Sequence, residues 1–177
     1  ETRYAPDIDN PVLINIQSIE LSNSNAAAIT NEGDLYIWGS NNYGQAGIGT
    51  TSSSCKATKA TISKVSKVAL FPGWIAAITS NNNLYMWGNN YNGLLGNGSN
   101  DTKTIPYKIS ELENTKVSEI YSLFLPTLTD YALAKTLVVT DNHILWRWGE
   151  YGYGKSETSK PSEKISGVNH IALANRE

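Results

Sequence analysis

Apolar residues along this chain recur near period two, the signature of strands with one face buried. After Pro11 the segment VLINIQSIEL supplies Ile14, Ile16, Ile19 and Leu21, and VSKVAL from Val65, VSEIYS from Val117 and ISGVNH from Ile165 repeat the design. A small-apolar run follows in each of the first three cases: AAAIT at Ala26, WIAAIT at Trp74 and TLVVT at Thr136. Each run ends in Thr and passes through a turn, NEGD from Asn31, SNNN from Ser80 or DNHI from Asp141, into a hydrophobic strand closing on Trp-Gly. Gly33 in the first turn is matched by Asn82 and His143. Asn is the commonest residue after Gly at positive φ, so hairpins are expected at all three places. Sustained 3.6-residue periodicity is absent from the sequence, and SELEN at Ser110 offers at most one helical turn.

The third strand and its glycine-punctuated tail form the most regular unit. LYIWGSNNYGQAGIG from Leu35 returns as LYMWGNNYNGLLGNG from Leu84 with eight of fifteen residues in place, and a worn copy, LWRWGEYGYGKSE, begins at Leu145. Ile16, Val65, Val117 and Ile165 are 49, 52 and 48 residues apart, a second marker of the same period. The implied repeats are 16–64, 65–116 and 117–164, with a partial fourth over 165–177. Units of this kind bury their apolar faces against their neighbours.

The copies AAAITNEGDLYIWGSNNYGQAGIG and IAAITSNNNLYMWGNNYNGLLGNG resemble the repeat of the regulator of chromosome condensation family. Thr30, Gly33, Trp38, Gly39, Gly44, Gln45, Gly47 and Gly49 follow that pattern in order, and the likeness extends from about Ile14 to Ile171. It implies an all-β fold, a partial β-propeller of three complete four-stranded blades plus part of a fourth, with Trp38, Trp87 and Trp148 filling the gaps between blades. Among relatives of this kind are an exchange factor for a small nuclear GTPase that docks on chromatin, and secreted bacterial inhibitors of β-lactamase. Two departures stand out. The family's Gly-x-x-His is missing, with Asn25, Gly73 and Lys135 where the His would be, and the third tail has Ser156 and Glu157 where the second has Leu95 and Gly96.

Composition narrows the function. The chain has 177 residues, 40% hydrophobic and 17% charged, which places it in the globular class. Its 14 basic and 16 acidic residues give a net charge of -2, and the pI is near 5.7. No run of like charges exceeds two, so a nucleic-acid partner is not expected. Lys56, Lys59, Lys64 and Lys67 fall in an acid-free stretch read as a solvated loop. No apolar run reaches the ~18 residues a membrane span needs, so no membrane partner is expected either. Cys55 stands alone, without a disulfide framework. The chain starts at Glu1 without a Met, as a processed or recombinant product would. Abundant Asn, Tyr and Trp with few charges favours a secreted or cell-surface bacterial module over a cytoplasmic one.

Catalytic and metal motifs fail on spacing. Asp7, Asp9 and Asn10 resemble the start of a calcium loop, but Val12 and Ser18 occupy the places of its Gly and Glu. Gly44-x-x-Gly47-x-Gly49 lacks the following helix and Lys-Ser/Thr of a phosphate loop. Glu111 and Glu113 read as surface carboxylates. Two histidines 27 residues apart and one Cys make no metal set, and no nucleophile-elbow motif occurs. No catalytic residue, metal or cofactor is assigned.

What remains is surface. Tyr43, Tyr91, Tyr151 and Tyr153 follow the Trp-Gly steps in loops rich in Asn, Ser and Gly, the composition of adaptable protein-binding loops. Between Ile120 and Val139 the third repeat spends nine residues more than the second spends between Val68 and Ile78, and this insertion contains Phe124 and Tyr131. Insertions in repeats map to loops, often on the binding face. Trp74, aligned with Ala26 and Thr136, is expected to be exposed. These seven residues make the candidate partner-binding set of a non-enzymatic scaffold. The alternatives are a carbohydrate-binding or carbohydrate-active propeller and a regulator resembling a guanine-nucleotide exchange factor. Because three blades and a fraction leave open edges, two copies of the chain, or this chain and a separate complementary half-propeller, are expected to assemble into one closed or nearly closed ring, with a two-fold homodimer the preferred form.

Overall fold

The computed structural model describes residues 12–113, 115–125, 133–149, 160–168 and 171. Twelve antiparallel strands among them form three four-stranded sheets. The first sheet contains β1 (Ile16–Leu21), β2 (Asn25–Thr30), β3 (Leu35–Gly39) and β4 (Ser54–Lys59). The second contains β5 (Val65–Phe71), β6 (Trp74–Thr79), β7 (Leu84–Gly88) and β8 (Lys103–Lys108). The third contains β9 (Val117–Leu125), β10 (Leu133–Thr140), β11 (Ile144–Trp148) and β12 (Ser162–Ser166). Each sheet is a meander in sequence order, as the repeats predict. The helical content described is two single 3-10 turns, Tyr91–Gly93 and Ser110–Leu112, the second within SELEN.

The hairpin chemistry is as the sequence implies. Gly33, Asn82 and His143 all have positive φ, at 82°, 61° and 62°, and the turns close through Gly33, Asn82 and His143 N–H donating to the carbonyls of Thr30, Thr79 and Thr140. The same turns lock the connection between neighbouring sheets: Val65 N–H donates to the Gly33 carbonyl, and Val168 N–H to that of His143. This equivalence makes Val168 the counterpart of Val65. Ile165 instead pairs with Leu145 inside β12, so the marker read at Ile165 belongs to the last strand of the third sheet. Alternation alone could not separate ISGVNH from VNHIAL. The Ser/Thr/Lys segment read as a solvated loop is likewise part of a strand, β4, anchored by Lys59 Nζ donating to Asp34 at 2.5 Å.

Two apolar layers hold the sheets together. Ala27, Ile29, Leu35 and Ile37 of the first sheet meet Val65, Val68, Ile75, Ala77 and Trp87 of the second. On the second sheet's other face, Trp74, Ala76, Ile78, Leu84 and Met86 meet Val117, Val138 and Trp148 of the third, with Leu94, Leu95, Ile109 and Leu112 completing the layer. The middle sheet is thus buried on both faces, which is why WIAAIT reads apolar throughout instead of alternating. Alanines at its centre let backbones approach closely, and the tryptophans fill the remaining width. A buried Trp removes ~150–250 Å² from water, on the order of 4–6 kcal/mol before conformational entropy.

Candidate partner-binding end of the blades

The hairpin register puts the β1–β2, β5–β6 and β9–β10 connections at the same end of the sheets as the long loops after Trp-Gly. Asn25 lies opposite Gly39, and Ser40 N–H donates to the Ser24 carbonyl; Trp74 lies opposite Gly88, and Asn89 N–H donates to the Gly73 carbonyl. In the third sheet, Leu125 lies opposite Leu133 at this end. The long loops, residues 40–53 and 89–102, are called tail loops below.

Each of these two tail loops is built around one buried asparagine. Asn41 Nδ2 donates to the Thr50 and Ser52 carbonyls at 3.0 and 2.9 Å, while its Oδ1 accepts from Ala46 N–H at 2.7 Å. Asn90 repeats the arrangement with Ser99 and Asp101 at 2.9 and 3.0 Å and Leu95 N–H at 2.8 Å. Both side chains are buried, so these bonds replace water and leave the loop one conformation. Motif reasoning passed over both residues, although the signal was present: an Asn three places after each Trp is among the eight shared positions. The third copy has Tyr151 there.

The tail loops carry the exposed aromatics. Tyr43 is 46% exposed and Tyr91 68%. The Tyr43 N–H donates to Gln45 Oε1 at 2.9 Å, and its ring lies across the blade boundary against Gly73 of the β5–β6 turn. Tyr91 N–H donates to Asn89 Oδ1 at 2.8 Å. Phe124 lies in β9, beside the connection that leaves this end. Tyr131, Tyr151 and Tyr153 lie outside the described residues.

Trp74 requires a correction. It is buried at 1% exposure, stacked on Phe71 with ring centroids 4.1 Å apart, within the layer between the second and third sheets. The pairing of Trp74 with Gly88 and of Asn25 with Gly39 also shifts the alignment by one, so that Trp74 corresponds to Asn25 rather than to Ala26. At that position Asn25 hydrogen-bonds the Ser40 carbonyl at 2.7 Å, whereas Trp74 fills space between blades. An unmatched Trp signalled a wider gap to fill, not an exposed contact.

Electrostatics here are sparse. Lys59 is held above its ordinary pKa chiefly by its hydrogen bond to Asp34, and Tyr121 chiefly by donating to Glu119. Lys103 lies 5.8 Å from the Tyr107 ring centroid, near enough for a cation–π contact. Among the described residues no three His, Cys, Asp or Glu side chains gather as metal ligands.

Three consecutive four-stranded meanders stacked face to face through apolar layers are blades of a β-propeller. The chain belongs to the regulator of chromosome condensation (RCC1) repeat family, whose repeat matches residues 32–70 and 81–122, with a second profile of that repeat matching residues 16–45, together more than half of the chain. Solved structures agree on the fold. Human WBSCR16 superposes with a TM-score of 0.64 at 19% identity over 89% of this chain and 38% of its own. The crystal structure of Kap60 bound to yeast RCC1 (Prp20) gives 0.67 at 17% identity over 92% and 39%. Prp20p from Saccharomyces cerevisiae gives 0.57 at 16% identity over 89% and 52%. The chain therefore spans about two fifths to one half of the structures it matches. No curated protein sequence matches it.

Proposed function

We propose that the end of the stack bearing the tail loops is a protein-docking rim and that the chain works as a non-enzymatic binding scaffold. The observation that carries this reading is the pairing of exposed tyrosines with immobilised loops: Tyr43 and Tyr91 project from backbones fixed by buried Asn41 and Asn90. Rigid loops lower the ordering cost of association, and Tyr contributes large contact area with few rotors. Phe124, in β9 beside the connection at the same end, joins the proposed rim, and Tyr131, Tyr151 and Tyr153 are assigned to it from the sequence alone. Fold relatives are consistent with such use, since yeast RCC1 (Prp20) was solved with Kap60 and Prp20p was described with binding to Gsp1p and histones.

The test compares the chain with a Tyr43→Ala/Tyr91→Ala variant in capture from the native host, circular dichroism confirming that both are folded. Loss of one dominant protein partner in the variant supports the rim. Equal capture by both moves the site elsewhere. Binding on a glycan array without a protein partner favours the carbohydrate reading, and accelerated nucleotide release from a small GTPase favours the exchange-factor reading.

A further inference from the structure

The second tail loop holds two Asn-Gly steps, Asn92-Gly93 and Asn97-Gly98, and no other occurs in the chain. The side-chain amide carbon of an Asn is open to attack by the backbone nitrogen of the next residue, and Gly in that place removes the Cβ that obstructs the approach. The two steps share one loop and one solvent. They differ in what each is bonded to.

At Asn92 the nucleophile is taken. Tyr91–Gly93 form a 3-10 turn, and Gly93 N–H donates to the Asn90 carbonyl at 3.0 Å, so attack by that nitrogen breaks a hydrogen bond and unwinds the turn. Gly98, exposed and at a φ of +80°, donates its N–H to no acceptor among the described residues.

The electrophile at Asn97 is prepared as well. Its Oδ1 accepts from Asn90 Nδ2 at 3.0 Å, from Ser99 N–H at 3.0 Å and from Ser99 Oγ at 3.3 Å. Three donors draw electron density from the amide carbon and stand where its oxygen becomes an oxyanion once that carbon is attacked. The bond from Ser99 N–H closes a ring containing both the Asn97 amide carbon and the Gly98 nitrogen, which folds the two reacting atoms toward each other. Asn97 Nδ2, by contrast, is buried without a hydrogen-bond partner among the described residues, so no bond holds the leaving group.

We propose that Asn97 is a self-modifying site, converting to aspartate and isoaspartate through a cyclic imide formed with Gly98. The Gly98 nitrogen attacks the Asn97 amide carbon and gives up its proton to water or hydroxide, while Asn90 and Ser99 hold the oxyanion. Collapse breaks the bond from that carbon to Nδ2, which takes a proton from water and leaves as ammonia. A second water opens the imide. Opening at the former side-chain carbonyl gives aspartate; opening at the main-chain carbonyl gives isoaspartate, with the backbone routed through the side-chain carbons. Either product puts a carboxylate beside Asn90, whose side chain fixes the loop, at the close of a stretch from Leu35 to Asn100 that has no Asp or Glu. The change acts on the loop that presents Tyr91, whatever that end of the stack binds.

The test incubates the 177-residue chain at mildly alkaline pH, folded and unfolded in guanidinium chloride, and follows both Asn-Gly steps by peptide mapping that separates asparagine, aspartate and isoaspartate. In the unfolded chain the two steps should convert at comparable rates. In the folded chain Asn97 should convert at least about tenfold faster than Asn92, on the scale of the hydrogen bond that Gly93 has to break. This comparison lies within the unaltered chain and needs no variant. Ser99→Ala removes one oxyanion donor and should slow Asn97 about threefold without changing Asn92. Gly98→Ala is no clean probe, because its Cβ would stand 2.7 Å from Lys160 Cε. Equal rates at the two steps of the folded chain, an Asn97 that stays intact when folded, or faster conversion in folded Ser99→Ala would overturn the proposal.

Discussion

Trp87 and Trp38 occupy equivalent places in adjacent blades, at the penultimate residue of LYMWG and LYIWG, yet one is wholly buried and the other half-exposed. The difference lies entirely in the neighbour. Trp87 has a tail loop before it that caps its ring and accepts its N–H; Trp38 has none among the described residues. A repeat residue is thus not a fixed quantity of stability, because half of its contacts belong to the adjacent unit.

Truncation is the most direct way to break this comparison. Trp87→Ala and Trp148→Ala should each cost about 3–5 kcal/mol in urea unfolding, and Trp38→Ala less than half of that, on the scale of large-to-small core changes. Equal losses at Trp38 and Trp87 would mean that the tail-loop cap adds nothing. Trp74→Ala belongs with the larger group because Trp74 is buried and stacked on Phe71; a loss below ~1 kcal/mol would return it to the surface.

Removing the loop-fixing side chain probes the cap from the other side. Asn90→Ala strips the Ser99 and Asp101 carbonyls and Leu95 N–H of their partner, and should cost about 2–3 kcal/mol while increasing hydrogen exchange across residues 89–102. Gly96→Ala should cost roughly 1–3 kcal/mol through positive φ and contact with the Trp148 indole, and should alter the fluorescence of Trp148.

Smaller effects sharpen the contrast within the third sheet. Trp146 has a buried Nε1 with no acceptor among the described residues, so Trp146→Phe should be close to neutral, within about 1 kcal/mol, in contrast to Trp148, whose N–H is bonded. Tyr121 donates its hydroxyl to Glu119 at 2.5 Å, which holds its pKa above the ordinary value. Folding retains that proton more tightly than the unfolded chain does. The contribution is therefore complete below about pH 10 and disappears as pH rises through the folded-state value. Urea titrations at mildly and strongly alkaline pH should show a smaller alkaline loss in Tyr121→Phe than in the parent. Lys59, raised by Asp34, titrates with the same sign and sets the background.

The strands, hairpins and repeat period were legible because they rest on local chemistry. Thr30-Asn31-Glu32-Gly33 folds as it does from its own residues, and Asn82 and His143 could be assigned positive φ by position alone. The tyrosines at 43 and 91 could also be read as exposed, since a tail loop punctuated by glycine and asparagine has no apolar face to bury. Ile165, Trp74 and the β4 segment were misread for a shared reason. An apolar residue in a short strand reports that something covers it but not which sheet, and an edge strand of Ser, Thr and Lys has the composition of a loop.

The sequence by itself determined the fold class, the order of the strands and the residue at each repeated position, because period-two burial and turn conformation are properties of a few neighbouring residues. Only the tertiary structure decided that Trp74 is core, that Asn41 and Asn90 set the shape of the tail loops, and that identical tryptophans differ in burial. Each of those depends on atoms tens of residues away: Trp87 meets Gln45 across 42 positions and Trp148 meets Leu94 across 54. The physical reason is that a blade's outward chemistry is completed by the next blade, so the same letters take different roles according to what is stacked against them.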